Sequence, residues 1–464
     1  MKDKTKRIIN FRFDRYEDVE NKLEKLAAKG LFLEKCGPFL WTFRKETPQK
    51  LKYTVTYFSE GSVFNPGITE NQQTYFDYAK AAGWNFVTQF NQMQIFSSEA
   101  DNPIPFETEE KEKLENIKRC MKKSYLPSMI VIILVFVINL IVQFNSFQLN
   151  PIDYLSDSIQ LFSISMILSI IIYSAYSLMT YFIWIKRSEK SIALGGECAK
   201  NSSIVYKIVD IIYMVFLFGS LGYLLLHLVY EIGGFGLFLP IAQMPILMII
   251  FWSSIKYFKK KKASAAKNKV ISFTVLIIAD IAYIALLMAV IMQFGLGERD
   301  NSNYRTVNWQ LSKTESHEFK LYSDEIPLTS EDLYGQIDYD YYSYEREINR
   351  TLFLSKSGYR QYSLPAKDSP PRVEYEILEP QFGFVYGLTK DHLLEIPEWR
   401  NNTTFEPIDN KIFDTVEAYQ RYYEDTPTGE YTLFFKDRII RLDMEEPLTT
   451  KQISIIKEKL QIIR

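Results

Sequence analysis

Between residues 126 and 294 the alternation of polar and apolar positions gives way to five apolar runs, at about 126–144, 161–185, 209–230, 235–255 and 270–294. Each is near the ~20 residues that a helix needs to cross a hydrocarbon layer of ~30 Å. A soluble helix of that length carries a polar stripe, whereas these runs are apolar on every side. The pattern predicts five transmembrane helices. The fourth is the least regular: Gly233, Gly234 and Gly236 precede it and Pro240 and Pro245 lie inside it. Proline leaves a carbonyl unpaired, so this helix is expected to bend or to start late.

The flanking regions have other periods. Residues 9–100 contain a repeat of about 53 residues, LAAKGLFLEKCGPFLWTFRK from Leu26 and DYAKAAGWNFVTQFNQMQIFSS from Asp77. Gly30 aligns with Gly83, Leu31 with Trp84, Leu33 with Phe86 and Phe43 with Phe96. Each glycine follows a helical stretch, at about 18–29 and 73–82, and suits a left-handed helix end. Two short alternating strands are predicted after each glycine, with LKYTVTYF at 51–58 as a further strand. Ile8, Ile9, Phe11 and Phe13 read as an interrupted strand. The expectation is a small α+β domain over residues 1–105, a duplicated helix–strand–strand unit with helices on one face of an antiparallel sheet. The aromatics include Trp41 and Trp84, expected in its core and at a surface for a partner. Residues 106–125 form a charged helical connector into the first span.

Charge orients the chain. Lys118, Arg119, Lys122 and Lys123 precede the first span, Lys186, Arg187, Lys190, Lys200 and Lys207 follow the second, and seven lysines between 256 and 269 follow the fourth. The loops at 145–160 and 231–234 have no Lys or Arg. Basic loops stay in the cytoplasm, so the N-terminus is predicted to be cytoplasmic and residues 295–464 extracytoplasmic. That last region carries 31 Asp and Glu against 21 Lys and Arg, while the whole chain is at −2. This balance gives no reason to expect a nucleic-acid partner. No apolar run follows the basic start, so no cleavable export signal is expected. Cys36, Cys120 and Cys198 match no metal or redox spacing and are expected as buried or idle thiols.

Three segments, FRFDRYEDVENKLEKLAAKGLFLEK, LKYTVTYF and YAKAAGWNFVTQFNQMQIFSS, resemble the bacterial domain of unknown function 2812 over about residues 9–100. The opening motif is held by Phe11, Arg12, Phe13 and Asp14, and Gly83–Trp84 keeps the Gly-Trp pattern, while Leu31 departs from it after Gly30. The resemblance implies a domain that precedes membrane helices, often beside PadR-like regulators, and brings no catalytic residue with it.

Residues 295–464 read as mixed α/β. Helices are expected at 413–424, from Phe413, Val416 and Tyr419, and at 449–463, capped by Thr449 or Thr450 with Ile453, Ile456 and Leu460 packed. GEYTLFFKDRIIRLDM reads as a hairpin turning near Lys436 and Asp437, and PRVEYEILEP and FGFVYGLT read as strands. DYDYYSYERE at 338–347 raises the idea of a cation or sugar site, but it lacks the ligand order and glycine turn of a calcium loop, and a solvated loop or strand edge fits better.

Candidate chemistry is sparse. Asp280 lies about ten residues into the fifth span, and Asp210 lies in the first turns of the third, with Lys207 three residues before it as a possible partner. IVDIIYMVFL and IADIAYIALL share a pattern, with Asn139 the polar member of the first span. Such residues hold helices together or form a proton or ion path. His227, His317 and His392 have no metal-ligand spacing. The reading is a non-enzymatic membrane protein, without cofactor or metal, in the bacterial cytoplasmic membrane. Its role is sensory, regulatory or assembly-related, with the lipid bilayer and a cytoplasmic regulatory protein, through residues 9–100, as partners. The competing reading is a transporter or permease-like protein using Asp280 and Asp210.

Overall fold

The computed structural model describes residues 4–9, 11–38, 40–105, 109–200, 204–232, 238–294, 304–310, 316–335, 340–364, 371–395 and 402–461. Contacts divide it into two compact units: Met1–Ile138 with Leu168–Glu298, and Asn139–Ile167 with Arg299–Arg464.

The first unit opens with β1 (Lys4–Ile8), a tight turn at Phe13–Arg15, α1 (Tyr16–Ala27), β2 (Leu31–Lys35) and β3 (Leu40–Lys45). The same order returns as β4 (Lys52–Tyr57), α2 (Glu70–Ala81), β5 (Asn85–Phe90) and β6 (Met93–Ser98). Each copy closes its own three-stranded antiparallel sheet, in the orders β1-β3-β2 and β4-β6-β5. This corrects the expectation of one sheet. It also redefines the repeat as strand–helix–strand–strand, since the segment at 51–58 is the leading strand of the second copy. The leading strand of the first copy ends at Ile8, before the expected aromatics.

The duplication extends to backbone detail. Gly30 and Gly83 have φ of 78° and 85° and end α1 and α2 in the left-handed region. At Gly30 a Cβ would lie 2.4 Å from the Glu46 carbonyl oxygen. Three residues after each glycine the pairing slips by one residue, between Leu33 and Lys35 and between Phe86 and Thr88.

Helix α1 buries Val19, Leu23, Leu26 and Ala27. Its Glu20 and Glu24, one turn apart, accept the Val55 and Tyr53 N–H groups at 2.7 and 3.5 Å. Those amides lie on the free edge of the second sheet, so two carboxylates occupy donors that would otherwise invite another strand. The core contains Trp41, Phe43 and Ile95, all fully buried. Helix α3 (Glu110–Cys120) sends Leu114, Ile117 and Cys120 into the same core. The expected connector is therefore part of the domain, and it passes through a wide π-type turn, Met121–Tyr125, into α4 (Leu126–Leu149).

After α5 (Pro151–Ser156) come α6 (Ser158–Ala193), α7 (Ile204–Ile232), α8 (Phe238–Lys260) and α9 (Ala265–Phe294). Among the described residues, four helical stretches are long and apolar enough to cross a membrane: Glu110–Leu149, Ser158–Ala193, Ile204–Leu224 and Ala265–Val290. Helix α8 corresponds to the fourth expected span and contains Pro245. Gly233, Gly234 and Gly236 lie outside the described residues, as do the side chains of Pro240 and His227.

The second unit has a hairpin, β7 (Tyr304–Gln310) with β8 (Ser316–Tyr322), then α10 (Ser330–Tyr334), β9 (Tyr342–Arg350), β10 (Leu354–Ser363), β11 (Val373–Pro380), α11 (Gly383–Leu394), β12 (Thr403–Pro407), β13 (Glu417–Tyr423), β14 (Thr426–Phe434), β15 (Ile439–Met444) and α12 (Thr450–Gln461). Seven strands form one sheet, ordered β12-β13-β14-β15-β11-β10-β9. The hairpin from β14 to β15 and the final helix, with Ile456 and Leu460 buried, are as predicted. From Tyr342 onward the tyrosine-rich segment becomes the edge strand β9; residues 340 and 341 precede the strand, and 338 and 339 lie outside the described residues.

Two elements are reversed. Residues 417–423 form a strand in which Ala418 and Gln420 alternate inward, so the helical spacing of Phe413, Val416 and Tyr419 is coincidental. FGFVYGLT lies mostly in α11, where Val385 and Thr389, one turn apart, are fully buried and Val385 joins the cluster of Leu354, Leu378, Phe434 and Ile439. A short aromatic run suits either state, and packing decides. Helix α5 belongs to this unit too: Ile152 and Leu155 enter that same cluster, Asp153 pairs with Lys356 at 2.5 Å, and Thr351 donates to the Leu155 carbonyl at 2.6 Å.

Candidate functional site

The turn before α1 brings Arg12, Asp14 and Arg15 against α6 and α7. Asp210 lies in the second turn of α7 and is only 5% exposed. A buried carboxylate needs opposite charge and donors. Arg15 donates to Asp210 Oδ2 at 2.7 Å, Arg12 Nη1 lies 3.6 Å from Oδ1, and the Tyr173 hydroxyl donates to Oδ1 at 3.1 Å. Tyr173 is stacked flat on Tyr213, with centroids 3.8 Å apart. Arg12 also reaches both oxygens of buried Asp14, at 3.1 and 3.3 Å, and the Thr180 hydroxyl at 2.6 Å. Burial alone lowers the pKa of the Arg12 guanidinium, and the carboxylates of Asp14 and Asp210 more than reverse it. Two arginines and two aspartates thus form a charge-balanced buried group.

Lys207, expected as the partner of Asp210, pairs instead with Asp18 of α1 at 3.1 Å. An arginine pair with the reach and rigid fork to enter from outside α7 takes its place. Sequence reasoning missed Arg15 altogether. The signal available was the cost of a carboxylate on an apolar helix, which demands a cation, and its own helix offers only a flexible lysine near the surface.

A second contact links the domain to α8 and α9. Asn268 is fully buried and donates to the carbonyls of Phe64 at 3.0 Å and Ile255 at 3.3 Å. The Phe64 ring lies 6.3 and 6.2 Å from those of Phe251 and Phe273. Deeper in the same helix pair, Gln243 donates to Asp280 at 2.8 Å. Asp210 and Asp280, alike in sequence, thus have different partners. Asn139 is exposed and makes no side-chain hydrogen bond among the described residues. Trp41 and Trp84 are 0% and 5% exposed, so both are core residues and neither forms a surface for a partner. Trp84 donates to the Ile104 carbonyl at 2.7 Å.

The three cysteines are free and buried. Burial pushes the Cys36 thiol up to about 11 and the Cys198 thiol, in the loop after α6, up to about 12, so both stay protonated and unreactive at neutral pH. Among the described residues no cluster of His, Cys, Asp and Glu is arranged to hold a metal.

Taken together, an α/β domain set on several long apolar helices, followed by a sheet-rich domain, defines a multi-pass membrane protein. Residues 15–129 match the family model described as "Protein of unknown function (DUF2812)", which identifies the N-terminal domain. The match covers about a quarter of the chain and runs through α3 and the π-type turn into α4, beyond the segments that carry the resemblance in sequence. No curated protein matches the chain. No solved structure matches it either.

Proposed function

We propose that this is a non-enzymatic sensory or regulatory protein that crosses the bacterial cytoplasmic membrane five times, α8 included. The DUF2812 domain faces the cytoplasm and the sheet-rich domain lies outside. One observation carries the relay: helices α4 and α6 each belong to both compact units, which divide between Ile138 and Asn139 and between Ile167 and Leu168. A strain set on α5 by the sheet-rich domain therefore has two continuous helices along which to reach the arginine–aspartate group. The orientation rests on the lysine-rich loops. The partnering of Asp210 by arginines and of Asp280 by Gln243 supports a tethering role for both, rather than a transport path.

The test uses the full-length protein. Ile152→Ala loosens α5 in its seat, and hydrogen exchange is followed at the amides of residues 12–15. Faster exchange there is expected, and unchanged exchange overturns the relay. In intact cells, a membrane-impermeant maleimide is expected to label Tyr423→Cys and to spare Tyr78→Cys, both exposed positions. The opposite pattern overturns the orientation.

A further inference from the structure

Between α1 and the start of α7 lies a cavity of about 750 Å³. Five cations line it, Arg12, Arg15, Lys22, Lys25 and Lys207, against two carboxylates, Asp18 and Asp210. The carboxylates are already engaged, Asp18 by Lys207 and Asp210 by the arginines. Lys22 and Lys25 stand exposed on the cavity face of α1 without an ion-pair partner among the described residues. The side chain of Arg15 is 9% exposed, and among the described residues its Nε and Nη2 have no hydrogen-bond acceptor, nor has Nη1 of Arg12. Buried guanidinium donors without acceptors are costly. The site therefore offers two spare positive charges, backed by three buried guanidinium donors without acceptors, a combination that suits phosphate oxygens.

One wall decides between a free and a lipid-borne phosphate. Ile211 lines the cavity and is 62% exposed. It continues an exposed apolar face of α7 formed with Ile204, Ile208 and Val215. The cationic cavity thus opens onto the flank of a helix apolar enough for the bilayer interior. We propose that the cavity binds the phosphate of an anionic glycerophospholipid headgroup, with the acyl chains laid along that flank of α7. This deepens the function proposed above and rests on its membrane placement of α7. It makes lipid composition at the domain–membrane junction an input to the DUF2812 domain.

Native mass spectrometry of the full-length, delipidated protein in detergent tests it, with dioctanoyl phosphatidylglycerol, dioctanoyl phosphatidylcholine and inorganic phosphate as probes. The phosphatidylglycerol is expected to bind saturably and more tightly than either other probe. At ~1 kcal/mol for each basic residue near an anionic lipid, Lys22→Gln with Lys25→Gln is expected to weaken it roughly thirtyfold. Lys80→Gln, an exposed lysine away from the cavity, is expected to leave it unchanged. Inorganic phosphate binding as tightly and losing as much in the double variant assigns a free-phosphate site and overturns the lipid. Equal affinity for the two lipids, or the same loss in Lys80→Gln, overturns the site altogether. Both substituted lysines are exposed, and an unshifted melting temperature of the variant confirms that folding is not what is lost. A wrong orientation would appear in the maleimide labelling and leave these titrations unaltered.

Discussion

In the first copy of the repeat, the segment between leading strand and helix spans residues 9–15, and it meets α6 and α7 through charge. In the second copy the corresponding segment spans residues 58–69, and it meets α8 and α9 through the Phe64 ring and one backbone carbonyl. Order of elements, glycine ends and strand slips are shared, yet one connection is ionic and the other aromatic. The sheet edges differ as well: β4 is sealed by Glu20 and Glu24, whereas β1 bears Lys4, Lys6 and Arg7 and is mostly exposed. Duplication kept the scaffold and let the connections diverge. A connection is free to change because the caps and bulges that define the unit lie elsewhere.

Breaking the ionic grip is expected to cost most. Asp210→Ala leaves Arg12 and Arg15 buried without their shared carboxylate, and losing one member of a buried ion group costs about 3–5 kcal/mol. Thermal unfolding of the full-length protein in detergent is expected to move down accordingly. A melting temperature within a degree or two of the parent would mean that the arginines find solvent or another partner.

The sealed edge is expected to give the protein a pH dependence. Burial pushes Glu20 up to about 7 from its ordinary 4.5, although the Val55 N–H favours the charged form. Between those values the folded chain keeps a proton that the unfolded chain releases, so this group's contribution falls as pH rises through the window. The change is roughly 3 kcal/mol at most, from the size of that shift. Glu20→Gln is expected to flatten the difference in unfolding midpoint between pH 4.5 and pH 7.5, with exchange at the Val55 amide as a local readout. Parallel pH profiles for parent and variant would remove Glu20 from the account.

The aromatic grip is expected to be the weaker of the two. Phe64 is half-buried, so Phe64→Ala forfeits part of the cost of a full core truncation, about 1–2 kcal/mol. If it destabilises the protein more than Asp210→Ala does, the ranking of the two grips is reversed.

The N-terminal domain was largely legible because its signals are local: two glycines at helix ends, two alternating strands after each, and a 53-residue period. Residues 382–389 and 413–424 were misread because aromatic, weakly patterned stretches fit helix and strand alike, and the surrounding sheet makes the choice. At the site, the cost of Asp210 could be read directly. Its partner could not, since Arg15 lies 195 residues away in the chain and only the docking of the domain brings the two together.

The π-type turn at Met121–Tyr125 carries a further consequence. A turn of that kind holds one residue more than regular winding, and one residue corresponds to ~100° of rotation about a helix axis. Its length therefore sets the angular phase at which the domain is threaded onto its first span. Shortening it by a single residue would swing Leu114, Ile117 and Cys120 nearly a third of a revolution away from the core they fill.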